Sequence, residues 1–260
     1  MNALISLPLV PLRESDNERS ELYTQLLFGE RVEILETRER WLFVRNFSDH
    51  YRGWVDRKMV QLLSPAEEEL LDKATTYIVR VPLTLCDKTP EGEKLFLPGG
   101  SILRTTNRNQ LIVGEDTFRV NSSELVAKSE SDLQQVVRLA LQYLHAPYLW
   151  GGKSILGIDC SGLVQVVFSM CGIQLDRDAS DQVESGKPID FLSEAKAGDL
   201  AFFENATGKI IHVGILLNSH QIIHASGWVK IESIDSNGII SAQTGEYTHK
   251  LRVVKRMILN

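Results

Sequence analysis

The hydrophobic period changes once along this chain, near residue 130, and that change limits what it can fold into. Before it, short runs alternate apolar and polar residues and are separated by turns, the period-2 pattern of half-buried strands. Residues 31–36 and 41–45 read this way, and 51–55 follow after a polar turn at Ser48, Asp49 and His50. After it, residues 131–140 take helical spacing, with Ser131 as a candidate N-cap. Such a chain places small β domains first and a helix-containing domain last.

The first block covers residues 1–64, with Gly29-Glu30 ahead of one strand and Gly53-Trp54-Val55 at the last. It reads as a small barrel and resembles a bacterial SH3-like domain. Residues 65–74 read as a short linking helix. Residues 75–128 form a second strand-rich block, with strands at 77–81, 101–104 and 110–113 and turns at 89–92 and 98–100. Gly99-Gly100-Ser101-Ile102-Leu103 stands where Gly29-Glu30-Arg31-Val32-Glu33 stood, so this block reads as a degenerate copy of the barrel. Residues 129–260 carry the chemistry.

Across 260 residues the formal net charge is −6, which argues against nucleic acid or an anionic membrane as the main partner. No stretch approaches the roughly 18 apolar residues of a membrane span. The N-terminus lacks a basic region and is broken by Pro8 and Pro11, a poor secretory signal. A cytoplasmic monomer is therefore expected; a periplasmic or extracellular one would require a signal removed beforehand. Cys86, Cys160 and Cys171 are the only cysteines, and no Cys-x-x-Cys occurs, so neither a disulfide framework nor a structural zinc site is expected. No cofactor or metal is called for.

Cys160 stands out among the thiols. Gly157-Ile158-Asp159-Cys160-Ser161-Gly162 precedes Leu163, Val164, Val167, Phe168 and Cys171, the spacing of a buried helix face ended by Gly172. Cys160 thus falls at a helix N-terminus capped by Asp159, where free N–H groups favour a thiolate. Residues 209–216 and 221–225 read as a hairpin around 218, and equal sums of residue number make His212 and His224 cross-strand neighbours. A thiol, a base and an orienting group form the arrangement of nucleophilic acyl transfer. Cys160 is then the nucleophile, His212 the general base and His224 its orienting partner, with the Cys160 N–H at the oxyanion. His50, His145, His220 and His249 read as structural or surface, and Asp199 as supporting a turn.

Tyr148-x-Trp150-Gly151-Gly152, Asp159-Cys160-Ser161-Gly162, Gly198-Asp199-Leu200-x-Phe202-Phe203, Ile211-His212-Val213-Gly214-Ile215 and Ile223-His224-Ala225 together resemble the NlpC/P60 cysteine peptidases, in order, over residues 131–260. With the SH3-like blocks in front, the chain resembles bacterial γ-D-glutamyl-L-diamino acid endopeptidases. The resemblance implies an α+β fold, a papain-like catalytic domain preceded by two small all-β SH3-like barrels. It also implies cleavage of murein peptides bearing a free N-terminal L-Ala, between D-Glu and diaminopimelate or Lys, in peptidoglycan turnover and recycling, without a metal. Carried over by position, Tyr148 helps form the oxyanion site, Trp150 an apolar wall, and Asp159 and Ser161 contact the γ-D-glutamyl portion. Asp178 receives the free amine, and Ala179 stands where relatives are expected to have a serine. In the first block, Glu21 pairs with the amine and Tyr51 closes the pocket. Two alternatives remain: a cell-wall amidase or acyltransferase using the same thiol, and a non-catalytic module that binds cell-wall peptide.

Overall fold

In a computed structural model of the chain, residues 1–89, 92–105, 111–113 and 116–257 are described. The expected turn at 89–92 and the start of the strand expected at 110–113 lie partly outside them. The chain forms two compact units, residues 1–130 and 131–260.

The first unit begins with β1 (Asn2–Ile5), β2 (Leu9–Arg13), β3 (Leu22–Leu27), β4 (Arg31–Arg38), β5 (Trp41–Asn46), β6 (Arg52–Asp56) and β7 (Val60–Leu62), joined in the order β3-β2-β6-β5-β4-β1-β7. Alternation on β1 serves two cores. Ala3 and Ile5 enter a cluster with Val10, Leu12, Val44 and Val55, while Leu4 faces the other way into a cluster with Phe28, Leu71, Val79 and Leu103. Helix α1 (Pro65–Lys73) starts on a capping box of Ser64 and Glu67, and its Leu71 belongs to the second cluster, so it packs as well as links.

The second block has β8 (Thr75–Val79), β9 (Leu83–Thr89), β10 (Glu93–Pro98), β11 (Ile102–Thr105), β12 (Leu111–Val113), β13 (Asp116–Arg119) and β14 (Leu125–Ala127). They form one sheet ordered β10-β9-β13-β12 and another ordered β11-β8-β14.

The second unit opens differently from the sequence expectation. Asp132, not Ser131, accepts the first free N–H, from Gln134 at 3.0 Å, and a 3-10 turn precedes α2 (Val136–Leu141). The short β15 (Lys153–Ser154) and β16 (Gly157–Ile158) lead into α3 (Cys160–Met170), followed by α4 (Ala179–Gln182). The remaining strands are β17 (Lys187–Ile189), β18 (Leu200–Glu204), β19 (Ile210–Asn218), β20 (Gln221–Ser226), β21 (Trp228–Ile234), β22 (Gly238–Ile240) and β23 (Tyr247–Arg256). Their order is β17-β23-β18-β19-β20-β21-β22, and a β22–β23 pairing closes the sheet on itself. Helix α3 packs on β19 and β20. Its Leu163, Val164, Val167 and Phe168 are fully buried, each stabilising by about 1.5–3 kcal/mol. That burial fixes the helix, and with it the position of its first residue. Among the described residues, no helix is long and apolar enough to cross a membrane.

Candidate active site

Cys160 is the first residue of α3 and is 7% exposed. Asp159 caps the helix, its Oδ1 accepting the Gly162 N–H at 2.7 Å. Its Oδ2 accepts the Gly151 N–H at 2.8 Å and pairs with the guanidinium of buried Arg177. Arg177 also donates to Ser161 Oγ at 2.8 Å. Gly162 is required here, because a Cβ on it would stand 2.4 Å from the Gly152 carbonyl oxygen. The first helical turn can therefore sit directly on the loop before it.

A helix N-terminus by itself favours a thiolate. Here burial, and then the Asp159 carboxylate, push the Cys160 thiol up to about 11, against the Val213 and Ser161 N–H groups and Arg177. The resting thiol keeps its proton and needs a base. Its interaction with the Val213 N–H places the sulfur against β19, beside His212.

His212 and His224 are both buried, and His212 Nε2 lies 2.9 Å from His224 Nδ1. The expected register is corrected: Ile215 pairs with Ile223 and Leu216 with Ile222, with an irregularity between Leu216 and Asn218. Continued along the strands, this sets His224 opposite Gly214 and diagonal to His212. The slip is two residues, so both rings keep the same face. Gly214 makes room, since a Cβ there would stand 2.9 Å from His224 Cβ.

The pair continues to a residue the sequence reading missed. His224 Nε2 lies 2.9 Å from Glu232 Oε2, and Glu232 Oε1 accepts the Ala242 N–H at 3.0 Å. Burial alone would raise this carboxyl, but the His224 and Ala242 N–H groups and the His224 and Lys230 charges bring it down to about 2. An ionised carboxylate only accepts, so His224 carries its proton on Nε2 and presents a lone pair at Nδ1. His212 must then donate from Nε2, which leaves its Nδ1 free to take a proton. Burial, followed by the charges of His249, His224 and Lys230, holds His212 well below its usual range, so it rests neutral. His224 lies on β20 and Glu232 on β21, where Lys230 pairs with His224. The alternation of β21 puts Glu232 on that same face, a signal legible once the hairpin is drawn.

His249, read as structural or surface, stacks on the His212 ring with centroids 4.1 Å apart and planes 27° from parallel. Burial, then the His224 charge, lowers it to about 4, with Lys230 adding and Glu232 opposing. The three imidazoles offer nitrogens within 4.8 Å of one another. One ion would nevertheless meet poor geometry, because imidazole binds metal in its ring plane and these two planes run nearly alongside. The His212–His224 and His224–Glu232 hydrogen bonds also occupy three of the nitrogens.

Tyr148 is half-buried near the thiol; burial, then the charges of Cys160 and Asp159, push its phenol up, so the hydroxyl stays a donor. Trp150 is 61% exposed. Asp159 and Ser161 turn inward to Arg177. Asp178 is half-buried at the start of α4, beside buried Ala179. Glu21 is exposed in the first unit, and Tyr51 packs against its first core with Tyr23 edge-on at 6.2 Å. Asp199 closes a turn by accepting the Lys196 N–H at 2.7 Å and pairs with Arg256. Cys86 and Cys171 are buried and form no disulfide, and burial pushes Cys86 up to about 12.

Residues 145–248 match the NlpC/P60 family, and residues 12–59 match the bacterial dipeptidyl-peptidase SH3 domain. A relative in Lysinibacillus sphaericus, named dipeptidyl-peptidase 6, is 30% identical over 90% of this chain and 92% of its own. The γ-D-glutamyl-L-lysine dipeptidyl-peptidase of Bacillus subtilis is 28% identical over 78% of this chain and 72% of its own. A crystal structure of an NlpC/P60 family protein from Bacillus cereus superposes with a TM-score of 0.85 over 98% of this chain and 99% of that one, at 18% identity.

Proposed function

The chain belongs to the NlpC/P60 family of cysteine peptidases, and we propose on that footing that it hydrolyses the γ-D-glutamyl-L-diamino acid bond of murein peptides. The observation that carries the reading is the hydrogen-bonded line His212–His224–Glu232 beside the thiol at the start of α3. In this reaction His212 takes the Cys160 proton as sulfur bonds to the γ-carbonyl carbon. Tyr148 O–H and the Cys160 N–H receive the oxyanion. The C–N bond breaks as His212 returns the proton to the leaving α-amine of the diamino acid. Water, deprotonated by His212, then splits the thioester and the thiol regains its proton.

In this reading Trp150 walls the substrate, and Asp159 and Ser161 flank its γ-D-glutamyl portion. Asp178 takes a free N-terminal amine, a charge that is costly to bury unpaired. Glu21 and Tyr51 are carried as further substrate-binding residues. The reading extends to a cytoplasmic monomer recycling released peptides, with a degenerate second SH3-like barrel at 75–128 and the catalytic domain at 129–260. The relatives' names support the bond.

Mass spectrometry of L-Ala-γ-D-Glu-meso-diaminopimelate with wild type and Cys160→Ala tests it. Release of L-Ala-D-Glu by wild type only is expected. Cleavage by both proteins, or by neither, overturns the reading.

A further inference from the structure

Glu232 has a second cationic neighbour. Lys230 Nζ lies 3.3 Å from Glu232 Oε1, the oxygen that also accepts the Ala242 N–H, while His224 holds the other oxygen. Trp228, Lys230 and Glu232 alternate onto one face of β21, and Lys230 is the cross-strand partner of His224 on β20. The Trp228 ring lies under the ammonium, its centroid 4.9 Å from Nζ. That contact holds a flexible four-carbon stem against the carboxylate, and only 18% of the Lys230 side chain is exposed.

Two protonation patterns satisfy a buried His224–Glu232 pair. In one, His224 is neutral, donates from Nε2 to Glu232 and accepts at Nδ1 from His212. In the other, His224 is itself the cation that balances Glu232. It then donates from both nitrogens, so His212 must accept at Nε2 and carry its proton on Nδ1, the nitrogen the thiol needs. The second pattern disables the base. Burial disfavours it, the Glu232 hydrogen bond and charge favour it, and the Lys230 charge opposes them. The other titratable groups facing His224 are His212 on β19 and His249 on β23. Strand β22, on the far side of β21, carries none, and α3, packed on β20, carries only Cys160.

We propose that Lys230 is a positioning residue of the His212–His224–Glu232 line: as the cation that balances Glu232, it keeps His224 neutral and so leaves His212 Nδ1 free for the thiol. Trp228 fixes the ammonium in place. The consequence for catalysis rests on the peptidase reading; the protonation pattern does not.

Nitrogen-15 NMR of histidine-labelled protein, which needs no substrate, tests this in wild type, Lys230→Met and Lys230→Arg. In Lys230→Met the His224 ring should gain its second proton at a pH about one unit higher than in wild type, and Lys230→Arg should restore the wild-type transition. Trp228→Leu, which frees the ammonium, should shift the transition the same way by less, and decides the matter if Lys230→Met does not fold. On L-Ala-γ-D-Glu-meso-diaminopimelate, the acidic limb of the kcat profile should move up with the NMR transition while KM is little altered, a change that loosened packing does not produce. A His224 transition that neither Lys230→Met nor Trp228→Leu moves overturns the proposal, as does a shift that Lys230→Arg fails to restore. Absence of cleavage by wild type counts against the peptidase reading alone, because the NMR result stands without it.

Discussion

His249 lies face to face with His212, their ring centroids 4.1 Å apart, with Phe203 beside both at 5.7 and 5.9 Å. The stack limits rotation of the His212 ring and places a titratable ring against it. The groups facing His249 are His212, His224, Glu232 and Lys230, with Thr248 Oγ1 2.9 Å from its Nδ1. Because the His249 charge lowers His212, removing that charge lets His212 hold a proton more easily. His249→Phe, which keeps a stacked ring, should move the acidic limb of the kcat/KM profile to higher pH. A limb that stays in place would show that the stack carries no electrostatic coupling.

Glu232→Gln keeps the shape of the side chain and removes the ionised acceptor that sets the tautomer of His224. The change should cost about 100-fold in kcat with KM little altered, by the logic of a misoriented base. Steady-state kinetics on the tripeptide measures the split, and a KM effect alone would place Glu232 outside the proton line.

The same carboxylate contributes to stability in a pH-dependent way. Its folded value of about 2 lies below its ordinary 4.5, so its stabilisation is present above 4.5 and lost as pH falls towards 2. The difference corresponds to about 3 kcal/mol. Denaturant unfolding of wild type should weaken through that window more steeply than that of Glu232→Gln, and parallel curves would contradict the assignment.

Gly214→Ala would place a methyl 2.7 Å from Ile222 Cδ1 and 2.9 Å from His224 Cβ. A loss of about 1–3 kcal/mol is expected, with reduced activity because His224 is the side chain pushed aside. Thermal melts and kinetics on the same preparation check both, and full activity in Gly214→Ala would mean that the hairpin relaxes without moving the histidine.

Arg177 is 2% exposed and pairs with Asp159, the residue before Cys160. Arg177→Met leaves a buried carboxylate without its cation and should cost about 3–5 kcal/mol. Adding Asp159→Asn should restore part of that loss, so the double variant is less destabilised than the sum of the single ones. Simple additivity in denaturant melts would show that the two side chains are not coupled.

Local rules were enough for the pieces of the site that are close in sequence. Asp159 as cap, Cys160 at the first helical position and Gly172 as stop follow from helix periodicity and end chemistry, and α3 spans Cys160–Met170. The hairpin bearing His212 and His224 was legible from its two apolar runs. Its register was not, because the pairing lies two residues from the centred expectation and no turn residue announces the irregularity between Leu216 and Asn218. Parity survived the shift, so the two histidines still meet.

By itself, then, the sequence determined the helix that begins at Cys160, the two histidines on one face and the strand-rich first half. Tertiary structure decided what surrounds them. His249 reaches His212 only because β23 pairs with β18, which pairs with β19, bringing together residues far apart along the chain. Burial decided the protonation states: the helix start argued for a thiolate, yet desolvation and Asp159 keep the Cys160 thiol protonated. Periodicity reports which way a side chain points. The desolvation and charge it meets there depend on strands and helices that only the fold assembles.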